Sequence, residues 1–251
     1  APGRPAGACD MVQDMPTALS FNGTSDLASG SFATGWTQNA ADLANTITFW
    51  VKADATSGYL VQLSQGTAND NGVALMLHDG NIESFLGAIG GGGSGKETTE
   101  TVNNDEWQHI TYTASGTGAG AQVQSLFINS VLNISGASSI TRTDDPSLMP
   151  AIACRVMDSS GGEYVPDNFA NAKLRDVRIF TSVLSQTEID EVFADVNMGG
   201  GTATATLEGW WKCEDGSTPL ADSSTNSNTL VLDGGTWDKS EYNLNQIGLG
   251  S

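Results

Sequence analysis

The chain has 251 residues, 39% of them hydrophobic, and carries 10 Lys+Arg against 29 Asp+Glu for a net charge of −19. That length allows one large all-β domain or two small ones with an ample apolar core. The charge excludes a nucleic-acid partner, which needs a basic face, and no apolar run reaches the ~18 residues of a membrane crossing, so membrane insertion is excluded too.

Residues 1–15 read as an extended arm. Pro2, Gly3, Pro5 and Gly7 argue against helix and strand. Met11, Val12 and Met15 are almost its whole apolar content, too little to offset the entropy of ordering it alone. The arm is expected to lie across a neighbouring subunit, with Met11 and Val12 as anchors. Ala1 is what removal of an initiator Met or of a signal peptide would leave.

Residues 16–242 read as a single domain, because strand signals follow one another without a linker. Ile47, Phe49 and Val51 alternate with Thr48, Trp50 and Lys52. Val73, Leu75 and Leu77 alternate with Ala74, Met76 and His78, and Ile110 and Tyr112 with His109 and Thr111. This is the period of half-buried strands in a two-layer sheet, roughly twelve strands in all. Asn69-Asp70-Asn71-Gly72, Asp79-Gly80 and Gly116 to Gly120 supply turns. Gly90 to Lys96 fits the GxxxxGK spacing, but Glu97 follows where a phosphate loop needs Ser or Thr and then a helix. The segment reads as a flexible acidic loop joining two strands, and nucleotide binding is excluded.

Lys173 to Phe180 is a strand that runs into a helix. Ser185 and Glu188 form a capping box. Ile189, Val192, Phe193 and Val196 share one face of a helix over 186–196 that covers an edge or end of the sheets. Glu188-Ile189-Asp190-Glu191 is then the solvated face of this helix. Residues 243–251 form a polar tail. Cys154 and Cys213 fall in strands and read as buried thiols, able to pair only if the strands are adjacent; Cys9 in the arm is free or bonds another chain.

Six segments carry a resemblance. They are Ala18 to Asp26, Thr46 to Lys52, Glu106 to Ile110, Leu126 to Asn129 (with Ser130 where Gly is usual), the strand-to-helix Leu184-Ser185-Gln186-Thr187-Glu188-Ile189, and Gly209 to Gly216 with Asp222-Ser223-Ser224. They resemble the laminin G-like domains with a concanavalin A-type jelly roll. The last segment precedes the domain in many relatives and ends it here. The resemblance implies an all-β jelly-roll sandwich of two antiparallel sheets with one short helix. It also implies binding and display more often than catalysis.

The catalytic glucanases of the wider fold carry Glu-x-Asp-x-Glu on a strand, where alternation puts the acids on one face. This chain has no such strand. His78 and His109 are its only histidines, and no HExxH, GxSxG or Ser-His-Asp order is present. No catalytic residue, enzyme activity or required cofactor is therefore assigned. Calcium is the one candidate ion. Asp222, Ser224, Asn226 and Asn228 offer alternating oxygens, and Asp26 lies in a loop that resembles one used for calcium in some relatives. Such runs also serve as ordinary turn chemistry. For glycans, Trp36, Tyr59, Tyr164 and Trp237 are candidate exposed aromatics, whereas Trp50, Trp107, Trp210 and Trp211 are expected to pack.

Two functions fit. One is a non-enzymatic structural surface protein, a subunit or decoration protein of a larger assembly such as a phage capsid or extracellular filament, with copies of itself or a scaffold protein as partners. The other is a secreted carbohydrate-binding module. They place the protein on a virion surface or outside the cell.

Overall fold

The computed structural model describes residues 18–32, 44–64, 72–87, 94–115, 122–138, 149–159, 163–195, 206–214, 216 and 218–238. The arm with Met11 and Val12, Trp36 and the tail 243–251 lie outside the described residues. Within them are 17 strands and one helix. The first sheet contains β1 (Ala18–Asn22), β3 (Asn45–Lys52), β8 (Gln108–Ser115), β9 (Gln122–Ile128), β10 (Val131–Ser138), β14 (Asn171–Phe180), β15 (Leu207–Trp211) and β17 (Thr236–Asp238). The second contains β2 (Leu27–Ser29), β4 (Gly58–Ser64), β5 (Gly72–His78), β6 (Asn81–Gly87), β7 (Ser94–Glu97), β11 (Met149–Ile152) and β16 (Val231–Asp233). A separate hairpin joins β12 (Arg155–Ser159) to β13 (Glu163–Asp167).

The first sheet has the order β10-β9-β8-β3-β14-β1-β17, with β15 also on β14. The second has the order β16-β2-β11-β4-β5-β6-β7. All named strand pairs are antiparallel. The alternation seen in the sequence sets what lies between the sheets. Ile47, Phe49, Val51, Ile110, Tyr112, Leu174 and Ile179 from the first sheet meet Val61, Leu63, Val73, Leu75, Leu77 and Ile82 from the second, in one buried cluster. Ser94–Glu97 is a strand of this sheet, not part of a loop. Its pairing with β6 explains why: the chain's hydrogen bonds are met by the neighbouring edge.

The ten-residue β14 organises the first sheet. Leu174 and the residues before it pair with β1, while Val177 to Phe180 pair with β15, so β1 and β15 follow one another along one side of a single strand. The C-terminal segment closes the domain in both sheets, since β16 pairs with β2 and β17 with β1.

The helix α1 spans Gln186–Ala194, with Asp195 as its C-cap. Its capping box is formed: Ser185 Oγ accepts from Glu188 N, and Glu188 Oε2 accepts from Ser185 N at 2.7 Å. Ile189 and Val192 are buried against Phe127, Phe180 and Leu184. The helix thus lies on the outer face of the first sheet, over β9 and β14, rather than at an edge or end. It stops two residues short of the Val196 expected from periodicity, and Val196 lies outside the described residues. Cys154 and Cys213 are buried thiols and are not joined in a disulfide. Both sit just outside strands, after β11 and β15. Burial pushes the Cys154 thiol up to about 12.

Candidate functional site

Among the described residues, the outer face of the second sheet is covered at one side. There the β12–β13 hairpin packs Val156 on Leu27, Ala151 and Cys154. Gln62 pins it, donating to Val156 O at 2.9 Å and accepting from Val156 N at 2.9 Å. Beyond the hairpin the register lines up four side chains. Tyr59 on β4 stands opposite Met76 on β5, Met76 opposite Glu83 on β6, and Glu83 opposite Glu97 on β7. Each has the parity that points away from the core. Phe85 follows on the same face of β6 and is half-buried.

Two carboxylates directly opposite on neighbouring strands repel. His78, at the end of β5, offsets this. Its Nδ1 lies 3.2 Å from Glu97 Oε1 and 3.9 Å from Glu83 Oε2. Asn81 Nδ2 donates to Glu97 Oε1 at 3.1 Å. A Cβ at Gly95 would stand 2.8 Å from Glu83 Oε1, so glycine there leaves the room the carboxylate occupies. The two acids titrate apart. Burial, with Glu97 adding to it, raises the Glu83 proton affinity against the pull of His78. The bonds from Asn81 and His78 lower that of Glu97, and the bond to Glu97 raises that of His78. At the hairpin end Arg155 bonds Asp167 through Nε at 2.6 Å and through Nη2, and its guanidinium lies 5.6 Å from the centre of the Tyr59 ring. The result is a shallow strip with an apolar floor of ring and thioether and a rim of charged acceptors and donors. Beside the hairpin, a cleft of about 270 Å³ between Ser29, Ser31, Met149, Pro150 and Val156 continues this face.

Tyr59 was the one residue of this strip visible as a candidate in the sequence. Trp237 is half-buried and packs on the core. Tyr164 lies in β13. Trp50, Trp210 and Trp211 pack, as expected: Trp211 is in the core, and Arg175 lies over Trp50 and Trp107 at 5.2 and 4.6 Å.

The loop offered for calcium is a hydrogen-bond knot. Asp222 Oδ1 accepts from Trp210 N at 2.9 Å and Ser224 N at 2.8 Å. Its Oδ2 accepts from Ser224 Oγ and Asn228 N, both at 2.7 Å. The amides of Asn226 and Asn228 donate to Glu208 O at 3.0 and 2.6 Å, tying the loop to β15. Asp26 is engaged elsewhere. It accepts from Asn22 N at 3.1 Å and Asn22 Nδ2 at 2.8 Å, closing the β1–β2 turn. Among the described residues, Asp26 and Asp222 share no hydrogen-bond partner and no three His, Cys, Asp or Glu side chains gather as metal ligands. Calcium takes six to eight oxygen ligands, and both carboxylate oxygens of Asp222 already accept two hydrogen bonds each.

Two acids of α1, Glu188 and Asp190, have structural roles. Glu188 caps the helix, and Asp190 accepts from Ser130 Oγ at 2.7 Å and Gln186 Nε2 at 2.8 Å. His109 is fully buried, and loss of solvent pushes it down to about 3, with Arg178 and Arg175 adding to the effect. Its ring packs against Trp50 and Phe193. Under α1 there is also a buried ionic group that the sequence reading missed. Arg178 Nε donates to Asp176 Oδ1 at 2.7 Å, and Nη2 donates to Asp176 Oδ2 and Asp195 Oδ2 at 3.0 Å each. Trp210 Nε1 donates to Asp176 Oδ1 at 2.7 Å. An extra residue in β14 between Arg175 and Arg178, with Asp176 at φ 53°, puts the carboxylate there.

Two antiparallel sheets packed face to face define a sandwich of the lectin type. The chain belongs to the concanavalin A-like lectin/glucanase superfamily: the laminin G-type family of that description matches residues 22–190. Among solved structures it is similar to a candidate carbohydrate-binding protein from Bacteroides ovatus, at 16% identity and a TM-score of 0.60. That likeness covers 88% of this chain and 59% of the Bacteroides protein, so the chain spans little more than half of its length. It is similar also to a heptameric SAP-like pentraxin from Limulus polyphemus, at 13% identity and a TM-score of 0.57, over 88% of this chain and 95% of that one. Among curated protein sequences none matches. At these identities the likeness is one of fold.

Proposed function

We propose that this domain binds glycans on the outer face of its second sheet, as a display module without chemistry of its own. The aligned row Tyr59, Met76, Glu83 and Glu97 carries this reading. A sugar ring has C–H faces and a hydroxyl rim. The phenol ring and thioether suit the faces, and carboxylates with His78 and Asn81 suit the hydroxyls. The Bacteroides ovatus protein adds weight by analogy of fold alone. A hydrolase needs one carboxyl free to protonate a leaving group and another free to attack or activate water. Here Glu97 is held by Asn81 and His78, and Glu188 and Asp190 by the helix and its neighbours. No turnover of β-glucans or alginate is expected in a reducing-end assay; turnover that vanishes in Glu83→Gln would overturn the non-enzymatic reading. Glycan-array screening followed by calorimetry tests the binding. Tyr59→Ala and Glu97→Gln should each weaken the best ligand by about tenfold, the loss of one good contact. Unchanged affinity in both would move the site off this face.

A subunit or decoration role in a larger assembly, such as a phage capsid or extracellular filament, is the second reading. Strands β9 and β10 contain no charged residue in a chain of net charge −19. On the edge strand β10, Val131 and Leu132 are 69% and 51% exposed. A neutral edge with exposed apolar side chains favours protein partners, either other copies or a scaffold, at a virion surface or outside the cell. Deleting residues 1–14 should leave the melting temperature unchanged yet abolish incorporation. Normal assembly by the truncated protein would refute the role of Met11 and Val12.

A further inference from the structure

His109 on β8 has no exposed surface, and neither ring nitrogen has a hydrogen-bond partner. Thr48 Oγ1 on β3, Thr111 Oγ1 on β8 and Nη1 of Arg178 on β14 are also buried and unpaired. The register brings these residues side by side. Arg178 stands opposite Thr48, Thr48 opposite Thr111, and His109 is two residues from Thr111 on the same face, opposite Trp50. The C-terminal end of α1 roofs them. Phe193 lies 5.6 Å, ring to ring, from both Trp50 and His109, and Asp195 accepts from Arg178 Nη2 at 3.0 Å.

Buried polar atoms in folded proteins are almost always paired, with protein or with ordered water. Five unpaired atoms on three adjacent strands therefore point to a common partner that is not polypeptide. The chemistry of the atoms selects it. Arg178 Nη1 can only donate, the two hydroxyls donate and accept, and a neutral imidazole does one at each nitrogen. The partner must accept from Arg178 and donate to the bare ring nitrogen. An anion cannot donate, and the charge of Arg178 is already met by Asp176 and Asp195. Water does both.

We propose that a cluster of buried water, on the order of two molecules making about three hydrogen bonds each, is a built-in component of this domain, held by His109, Thr48, Thr111 and Arg178 beneath α1. The helix then rests on two different supports. Its Ile189 and Val192 sit on a dry apolar cluster, and its C-terminal turn sits on a hydrated polar one.

Water–protein cross-relaxation in solution tests this, read at the His109 ring and the Thr48 and Thr111 side chains. Cross-peaks to water with the sign of a long-lived bound molecule are expected; their absence at all three residues would overturn the proposal. Isosteric variants give a second reading that needs no assignment. If water bridges these groups, Thr48→Val and Thr111→Val each remove a bonding partner and should lower the melting temperature by about 2–4 °C. If the atoms are dry and unpaired, removing a hydroxyl relieves a buried cost, and the melting temperature would rise. A rise in either variant refutes the cluster. Crystals grown in bromide add the third arm: an anomalous peak at Arg178 and His109 would replace water by an anion.

Discussion

Arg178→Met tests the buried ionic group under α1 most directly. The substitution keeps a long flexible side chain but removes the guanidinium, which has no exposed surface. Three charge-assisted bonds are lost, two to Asp176 and one to Asp195, with the stacking over Trp210 at 4.6 Å. Asp176, 1% exposed, keeps only the bond from Trp210 Nε1. Breaking a buried pair from one side costs about 3–5 kcal/mol, because a charge is left uncompensated. In a domain of this size that lowers the melting temperature by roughly 10 °C. Denaturant titration at neutral pH and calorimetry would read it. The double variant Arg178→Met/Asp176→Asn should recover most of the loss, since it removes both members of the fully buried pair. The pH dependence has a definite sign. Burial raises the proton affinity of Asp176, opposed by Arg178. Without the arginine the folded-state value lies further above the unfolded one. The folded state then binds the extra proton, so the single variant regains stability as pH falls through the folded value and is weakest above it. A loss below about 1 kcal/mol, the worth of a surface pair, or a double variant as unstable as the single one, would refute the reasoning.

Phe193→Ala should cost about 2 kcal/mol, below the range for a fully buried Phe because the ring is half-buried against Trp50 and His109; unchanged denaturant unfolding would mean that this turn of α1 contributes nothing. His78 should titrate above its ordinary 6.5 by NMR and fall back in Glu97→Gln. The stabilisation from the pair should be greatest between about pH 4.5 and 6.5, lost on the acid side as Glu97 protonates and on the alkaline side as His78 deprotonates. Equal titration in both proteins would remove the ion pair. Asp222→Ala should destabilise by about 2 kcal/mol, because half-buried donors lose their acceptor. Calcium and chelator should leave the wild-type melting temperature unchanged; a calcium-dependent rise would show that the knot opens to bind the ion.

What the sequence disclosed was local. Ser185 and Glu188 are three residues apart, so their capping box depends on nothing distant. The alternation of Ile47, Phe49 and Val51 named the inner face of β3 before its neighbours were known. The strip was hidden for the opposite reason. Glu83 and Glu97 meet because β6 and β7 pair in one register, and a slip of one residue would turn either to the core. Glu97 also follows a glycine-rich run, which disguised a strand as a loop. Asp222 showed the limits of counting oxygens, since the same side chains serve a cation or backbone N–H groups, and only the fold of Trp210 and Asn228 onto the carboxylate decides. Asp176 and Arg178, two residues apart on a strand, gave no sign that a bulge joins them.

The pairing of β1 with β17 sets Ala18 opposite Asp238. Positions 18 and 238 are therefore direct neighbours on adjacent strands. The domain can thus be spliced into a loop of a host protein without stretching that loop, or permuted by a short link between these two positions with new ends at Asp79-Gly80. The strip of Tyr59, Glu83 and Glu97 belongs to the other sheet, so a link made at this point joins strands that carry none of its residues.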